Sequence, residues 1–329
     1  MSELRSLVPL DDVWDEMEVV ERRLFEVSTS EDPYLTRIAQ HLLTAGGKRY
    51  RPLLTVLASR LGPTRSHRSV EAAVAVELIH LGSLYHDDVI DEADTRRGAT
   101  SVNANWSNTV AILAGDYLMA KASETAAASL SQESVRLLAA TYADLVEGQT
   151  RELQLDFDLD HGVDDYERVI YLKTASLIRT SARLGAMAAD AEPGVVEAVS
   201  RWATEVGMVF QIADDALDLV STASQLGKPT GSDIREGKFT LPVLLALRGG
   251  DGSRVRRLLE TPRPYPDEVV AEVIDLVKAG GHVEESLAAA GSRLDAASRS
   301  LEALPPGPVR DVLEDLGRYL VERVAGVTT

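Results

Sequence analysis

The chain has 329 residues, with 52 acidic side chains against 34 basic ones and a formal net charge of −18 at pH 7. So acidic a surface disfavours nucleic acid and anionic lipid as general partners, and the absence of cysteine excludes disulfides, thiol catalysis and cysteine zinc sites. No apolar run is long enough to span a membrane and the charged N-terminus lacks the layout of a signal peptide, so a cytoplasmic location is expected.

The pattern of apolar residues predicts helices along the whole chain. These residues recur at three- and four-residue steps in Val70–Ile90, Val110–Ala128, Val135–Leu155, Val195–Val220 and Val309–Val324. Gly and Pro cluster between the segments, where helices should end, and no strand pattern stands out. The sequence therefore predicts an all-α fold. We expect one domain over residues 1–329, with its motifs in about 35–245 and further helices over 250–329.

A cluster of cations follows a glycine pair in the segment AGGKRYRP, where Gly46 and Gly47 precede Lys48, Arg49 and Arg51. The backbone amides of such a loop can approach an anion, and the start of the next helix adds a favourable dipole. The segment lacks the spacing of a Walker loop. Alone it is a weak signal, because most Lys and Arg side chains on helices are solvated surface charges.

The segment HDDVIDEADTRRG places Asp87, Asp88 and Asp91 at the end of an apolar helix. Because a helix turns by about 100° per residue, Asp87 and Asp91 lie almost above one another, with Asp88 beside them. Carboxylates stacked in this way repel each other. They suit Mg²⁺, which typically bridges one or two carboxylates to substrate phosphates. Arg96 and Arg97 follow at once and could pair with the same anions.

A second triplet with the same spacing stands in FQIADDALD, at Asp214, Asp215 and Asp218. One such triplet could arise by chance in an acidic chain, but two on apolar helices with cations nearby point to a metal-diphosphate site. The further cations Lys173, Lys228 and Lys238 stand in YLKTASL, QLGKPTG and DIREGKFTLP.

Taken in order, the motifs GGKRYRP, ELIH, DDVID, RRG, KT, FQIADD and GKPTGSDIREGK resemble those of the trans-polyprenyl diphosphate synthases, bacterial long-chain type. The resemblance covers about Leu35–Leu245, and the C-terminal third matches only in its helical character. It implies a large helical bundle of the isoprenoid synthase fold with a central cavity between two DDxxD helices. It also implies three Mg²⁺ ions, a homodimer, and isopentenyl and allylic diphosphates as substrates.

The resemblance implies two separate diphosphate sites. The expected metal ligands are Asp87, Asp88, Asp91, Asp214 and Asp218. The other groups expected at the allylic diphosphate and reaction centre are Arg96, Lys173, Thr174, Gln211, Lys228 and Lys238. Isopentenyl diphosphate would be held without metal by Lys48, Arg51, His80 and Arg97. Asp215 could pair with lysines or with groups that support the metal ligands, rather than bind metal itself. Phe210 could face a developing cation or belong to the core. The implied reaction is ionisation, condensation and elimination.

The residues before the first triplet bear on product length. Gly82 and Ser83 are small, and this favours a long product of roughly 35 to 45 carbons, suited to a quinone side chain. The alternative for Gly82 is close helix–helix packing, because glycine inside a helix otherwise costs ~1 kcal/mol relative to Ala. A closer floor could come from Ile79, Val76 or residues in Ala114–Ala122.

Three other functions stay open at this point. A geranylgeranyl or farnesyl diphosphate synthase would make a shorter product. A terpene cyclase would share the helical class, but it typically lacks the second aspartate triplet and needs no second diphosphate pocket. A non-catalytic subunit of a two-component synthase usually loses aspartates, and both triplets are intact here. The requirement for a second subunit stays open.

Overall fold

The computed structural model describes residues 2–221 and 230–328, with the side chains of residues 4–221 and 230–319. These ranges are largely helical, as the periodicity predicts. The helices before residue 222 are α1 (Ser2–Leu7), α2 (Asp11–Val27), α3 (Pro33–Ala39), α4 (His41–Thr44), α5 (Tyr50–Ser59), α6 (Arg68–Ile90), α7 (Val102–Asn105), α8 (Asn108–Ser129), α9 (Gln132–Leu155), α10 (Val163–Ile170), α11 (Ser176–Ala188) and α12 (Pro193–Val220). Later helices cover Ser232–Glu236, Leu241–Arg248, Gly252–Leu259, Asp267–Ala279, His282–Leu301 and Pro308–Thr328.

The five long predicted helices are confirmed, each within four residues of its observed ends. The sequence did not predict two short features. One turn of π-helix over Tyr171–Ala175 joins α10 to α11. A hairpin pairs β1 (Thr95–Arg96) with β2 (Ala99–Thr100) in antiparallel register. Two-residue strands are too short to show an alternating pattern, so periodicity could not find them.

The chain divides into two compact units built from interleaved segments. Unit 1 comprises Met1–Ala143, Leu177–Arg201 and Glu302–Val312, and unit 2 comprises Asp144–Ser176, Trp202–Leu301 and Leu313–Thr329. Neither unit is a continuous stretch of sequence. The single domain over residues 1–329, and the central cavity between the two aspartate helices, stay predictions.

Unit 1 is organised around α6. This helix is buried from Ser69 to Ile79 and packs against α2, α5 and α8. A helix that is apolar on every side is expected inside a core rather than on a surface. Leu78, Leu57 and Leu118 contribute to this core and are fully buried. The first aspartate triplet therefore stands at the end of a core helix of its unit.

Unit 2 is organised around the C-terminal part of α12. Trp202, Ile212 and Ala216 of this helix are buried. In the same unit, Leu241–Arg248 packs on His282–Leu301. The second aspartate triplet lies in the last two turns of α12, so a core helix positions it in the same way as the first.

No helix in the described ranges combines the length and the apolar character that a membrane span needs.

Candidate active site

The first triplet closes α6 with three carboxylates in three different environments. Asp87 is half-buried, Asp88 is fully buried and Asp91 is exposed as the residue after the last helical turn. The Asp91 amide still donates to the Asp87 carbonyl at 2.8 Å. The helical spacing of the two outer aspartates is therefore kept, as the sequence predicts.

Asp88 is held by Arg96, which the hairpin returns to the end of α6. The turn between the strands consists of Arg97 (φ 55°) and Gly98 (φ 76°). Arg96 Nε donates to Asp88 Oδ1 at 2.7 Å, and Arg96 Nη2 forms an ion pair with the same oxygen at 2.5 Å. Burial raises the pKa of the Asp88 carboxyl, and the Arg96 guanidinium opposes the shift. Asp88 Oδ2 is buried without a hydrogen-bond partner in the described part of the chain. Asp88 is therefore held in place by the protein through one oxygen, which favours a supporting role, and the metal role expected for it stays a prediction.

The structure gathers the cations predicted for isopentenyl diphosphate around the Gly46–Gly47 loop of unit 1. Arg51 Nη1 lies 3.2 Å from His80 Nε2, and Arg97 Nη1 donates to the Gly46 carbonyl. Gly47 has a φ of 146°, a backbone conformation that favours glycine, and a Cβ there would lie 2.7 Å from Arg97 Nη1. Lys48 is exposed in the same loop.

The positive charge of this cluster is only partly compensated. Burial lowers the pKa of the Arg51 guanidinium, with Glu77 opposing the shift and Arg97 adding to it. Burial and then the charges of Arg51 and Arg97 lower the pKa of the His80 imidazole well below its usual value. Arg51 Nε is buried and finds no hydrogen-bond partner among the residues that the structure describes. A bound anion would relieve both the repulsion and the unmet donor.

The second triplet, in unit 2, places its carboxylates differently. Asp214 is exposed, whereas Asp215 and Asp218 are 4% and 2% exposed. Tyr166 Oη donates to Asp215 Oδ2 at 2.6 Å, and Gln211 Nε2 donates to Asp215 Oδ1 at 2.8 Å. Burial raises the pKa of the Asp215 carboxyl well above its usual value. Asp215 is therefore fixed by neutral donors.

Asp218 connects the second triplet to the loop that follows it. Its Oδ2 accepts from the Asp233 amide at 3.3 Å, and its carbonyl accepts from the Gly231 amide at 3.0 Å.

The remaining predicted polar residues of unit 2 lie near this triplet's helix or in short turns. Thr174 Oγ1 donates to Gln211 Oε1 at 2.8 Å, so these two residues and Asp215 form one chain of hydrogen bonds. Lys173 precedes Thr174 in the π-helical turn and pairs with Glu152. Lys238 Nζ lies 2.8 Å from Glu236 Oε2. π-Helical turns are frequent at functional sites. Lys228 lies outside the described residues. Phe210 is half-buried on α12, which leaves both of its proposed roles open.

At Gly82 the structure favours helix packing over free space for a product. A Cβ there would lie 2.9 Å from Met119 Cε and 3.0 Å from the Gly115 carbonyl oxygen. Ser83 is half-buried and its hydroxyl donates to the His80 carbonyl at 2.9 Å. The sequence argument for room at Gly82 is therefore wrong in its physical reason, because α8 fills that space.

A mainly apolar cavity of about 260 Å³ lies lower on α6, between α8 and α9. Its lining comprises Ile79, Met119, Ala120, Ala122, Ser123, Ala126, Val135, Leu138, Ala139 and Tyr142. Ile79 stands two helical turns before Asp87. This agrees with the alternative floor at Ile79 and within Ala114–Ala122.

Comparison with known proteins identifies the family. A model of the polyprenyl synthetase family matches residues 32–277. The chain belongs to the polyprenyl synthetase family.

Individual members of this polyprenyl synthetase family match almost end to end. The chain is 46% identical to nonaprenyl diphosphate synthase of Mycobacterium tuberculosis over 86% of its own length and 85% of that protein. It is 41% identical to component 2 of the heptaprenyl diphosphate synthase of Geobacillus stearothermophilus, over 94% and 96%.

A solved geranylgeranyl pyrophosphate synthase from Corynebacterium glutamicum, complexed with calcium and isoprenyl diphosphate, superposes with a TM-score of 0.85. It is 40% identical, and the match covers 95% of this chain and 96% of that one. The chain is therefore a prenyltransferase with the all-helical fold of its family.

The donors of the two triplets fit a hard divalent cation that also binds other oxygens. No three His, Cys, Asp or Glu side chains of the described ranges are grouped closely enough to form a metal site by themselves. Mg²⁺ keeps several waters and takes one or two protein carboxylates plus substrate phosphates. The half-buried Asp87 and the exposed Asp91 and Asp214 match that need.

Sequence reasoning missed Tyr166, Arg49 and Glu77. Tyr166 lies 49 residues before its partner Asp215, and nothing in the sequence links them. Arg49 was grouped with its neighbouring cations but is only 4% exposed. Glu77 offered a usable signal, because an acidic residue inside the apolar run of α6 requires a buried partner.

Proposed function

We propose that this prenyltransferase condenses isopentenyl diphosphate onto farnesyl or geranylgeranyl diphosphate with Mg²⁺. The observation that carries the proposal is that the neighbouring residues Arg96 and Arg97 point to two different sites. Arg96 contacts Asp88 at the end of α6, whereas Arg97 contacts the Gly46 carbonyl beside Arg51 and His80. Two anion sites, one rich in carboxylates and one in which cations predominate, thus adjoin within unit 1. A reaction of two diphosphates needs both, and a terpene cyclase needs only one.

The allylic diphosphate is assigned to the aspartate motifs. We propose Asp87, Asp91, Asp214 and Asp218 as ligands of three Mg²⁺ ions, with Asp88 and Asp215 as supporting groups. Arg96, Lys173, Lys228 and Lys238 would add positive charge to the leaving diphosphate. For the second triplet and the three lysines this rests on the family pattern. When bound, magnesium supplies Lewis-acid stabilisation of the departing diphosphate.

The chain's own residues direct the rest of the reaction. The C–O bond of the allylic substrate breaks, and its electron pair leaves with the diphosphate. The π pair of isopentenyl diphosphate, held by Lys48, Arg51, His80 and Arg97, then forms the new C–C bond. A proton leaves the adjacent carbon, and we assign it to the released diphosphate. The Thr174 hydroxyl and the Gln211 carboxamide oxygen line the reaction centre, where fixed dipoles can stabilise a cation.

The cavity between α6, α8 and α9 is proposed to hold part of the growing tail. It reaches α6 at Ile79, two helical turns before Asp87, and its buried walls at Ala122, Ala126 and Leu138 are apolar. Such a lining excludes water and accepts a hydrocarbon. A product of roughly 35 to 45 carbons agrees with the nonaprenyl and heptaprenyl names of two relatives.

The proposed reaction is tested by incubating the purified chain with labelled isopentenyl diphosphate, farnesyl diphosphate and Mg²⁺. Label should enter an acid-labile prenyl diphosphate only when all three are present, and chelation should stop it. Product formation from the allylic substrate alone would indicate a cyclase. Inactivity of the purified chain, reversed by a second polypeptide, would show a two-component enzyme.

The tail assignment is tested by filling the cavity from its rim. Ser123 lines the cavity yet is exposed, so Ser123→Phe should be tolerated and should shorten the product without stopping turnover. Ala127→Phe is the matched control, since Ala127 is exposed on α8 outside the cavity. Equal product lengths for both variants and the unchanged chain would refute the assignment.

A homodimer is proposed through the outer face of α8. Ile112 and Leu113 are 44% and 60% exposed there, although the opposite face of this helix is buried. Apolar side chains grouped on one exposed helix face are typical of a protein–protein contact. Light scattering of Leu113→Glu against the unchanged chain should show loss of the dimer.

A further inference from the structure

A chain of buried ion pairs lies beneath the cation pocket and joins three elements of unit 1. Arg49, at the start of α5, contacts Glu21 of α2 and Glu77 of α6. The Arg49 and Glu77 side chains are 3% and 2% exposed, and that of Glu21 is 38% exposed. Removing one member of so buried a pair leaves an uncompensated charge.

Arg49 uses every donor it has. Nε and Nη2 bind the two Glu21 carboxylate oxygens at 2.9 and 3.0 Å. Nη1 contacts Glu77 Oε1 at 3.3 Å and the Gly46 carbonyl at 3.1 Å, and Nη2 also reaches the Leu43 carbonyl at 3.2 Å. A guanidinium has five N–H donors. Arg49 is therefore saturated by the protein and fixes the Gly46–Gly47 loop from below.

Glu77 is the buried carboxylate of α6 that contacts Arg49 beneath the cation pocket. Burial raises the pKa of the Glu77 carboxyl, and the charges of Arg49, Arg97 and Arg51 oppose the shift. Burial lowers the pKa of Arg51 and of Arg97, and Glu77 opposes both shifts. On α6, Glu77 precedes His80 by three residues, so the two share one helix face. Glu77 thus offsets the mutual repulsion of Arg51 and Arg97 before any substrate is present.

We propose that Glu77 and Arg49 are positioning residues of the isopentenyl diphosphate pocket, holding Lys48, Arg51 and Arg97 in the binding arrangement before the diphosphate arrives. The inference rests on the proposed function, since it assigns a support to one of its two sites. Neither residue touches the substrate. Their effect is pre-organisation, which raises affinity by lowering the cost of ordering the site.

The test is the Glu77→Gln variant, which keeps the shape of the side chain and removes its charge. With farnesyl diphosphate and Mg²⁺ saturating, the KM for isopentenyl diphosphate should rise about tenfold, the change expected when one well-placed interaction is lost. The KM for farnesyl diphosphate and kcat should stay within about twofold, because the aspartate motifs are untouched. Glu77→Asp should recover part of the lost affinity.

Glu71→Gln is the matched control on the same helix. Glu71 is also buried on α6, and it pairs with Arg23 of α2 at 2.9 Å, away from the cation pocket. This variant should lose comparable thermal stability and keep the KM for isopentenyl diphosphate.

Glu21→Gln provides a milder test should Glu77→Gln fail to fold. It weakens the ion pair between Arg49 and Glu21, the more exposed of the two carboxylate partners, and should raise the KM for isopentenyl diphosphate about threefold.

The outcomes separate this inference from the proposed function. If the unchanged chain incorporates isopentenyl diphosphate while Glu77→Gln and Glu21→Gln keep its KM, the positioning role is refuted and the function stands. Equal rises in both substrates' KM, or an equal rise in Glu71→Gln, would show a general structural role instead. No incorporation by the unchanged chain would refute the proposed function itself.

Discussion

The two aspartate triplets have the same spacing but hold their middle carboxylates by different means. In unit 1, Asp88 is held by the charged Arg96, which a hairpin brings back to the helix end. In unit 2, Asp215 is held by the neutral donors Tyr166 and Gln211. In both, the middle aspartate is buried and the first aspartate of the triplet is more accessible. The third aspartates differ, since Asp91 is exposed whereas Asp218 is 2% exposed. A DDxxD motif on a helix therefore sets a buried middle carboxylate beside a more accessible first one, and the surrounding fold decides the rest.

The largest effects are expected at the first aspartate of each triplet. Asp87→Asn and Asp214→Asn should each lower kcat about a thousandfold, the scale of losing one group that stabilises transition-state charge. Steady-state rates at saturating substrates and Mg²⁺ measure this. If Asp214→Asn lowered kcat by less than about tenfold while Asp87→Asn lowered it as expected, the two triplets would not play equivalent roles.

An intermediate effect is expected at Asp88. Asp88→Asn should lower kcat about 10- to 100-fold, as for groups that orient ligands without binding metal themselves. Arg96→Gln should give a similar loss, and the double variant should be little worse than either single one, because the two side chains act as a pair. Additive losses in this double-mutant cycle would show that Asp88 and Arg96 act separately.

The smallest effect is expected at Tyr166. Tyr166→Phe removes one hydrogen bond to Asp215 and leaves Gln211 in place. We expect a loss of about 1 to 2 kcal/mol in the free energy of unfolding and less than about a tenfold loss in kcat. Denaturant unfolding and steady-state rates measure the two quantities. A loss of activity as large as that of Asp88→Asn would mean that neutral and charged supports are equivalent.

The sequence predicted the helices and the positions of both triplets because these depend on local periodicity. It also placed Arg96 and Arg97 directly after the first triplet. It could not show that Arg96 contacts Asp88 while Arg97 contacts the Gly46 carbonyl, because these contacts depend on a hairpin whose strands are two residues long. The sequence also could not show that every donor of Arg49 is used within the protein, because its carboxylate partners come from α2 and α6.

Gly82 shows a limit of a different kind. The sequence offered two readings of this small residue, room for a product or close packing of helices. Only the position of Met119 and of the Gly115 carbonyl on α8 decides between them. A cavity that could take a product does exist, but it lies lower on the same helix, at Ile79.

The most direct test of the account is the length of the product made by the purified chain alone. Farnesyl diphosphate, isopentenyl diphosphate and Mg²⁺ are incubated with the chain, and the dephosphorylated products are sized by mass spectrometry. The account predicts all-trans products of roughly 35 to 45 carbons, in line with the relatives named nonaprenyl and heptaprenyl diphosphate synthase. Products that stop at about 20 carbons, as the name of the geranylgeranyl relative would suggest, would contradict it.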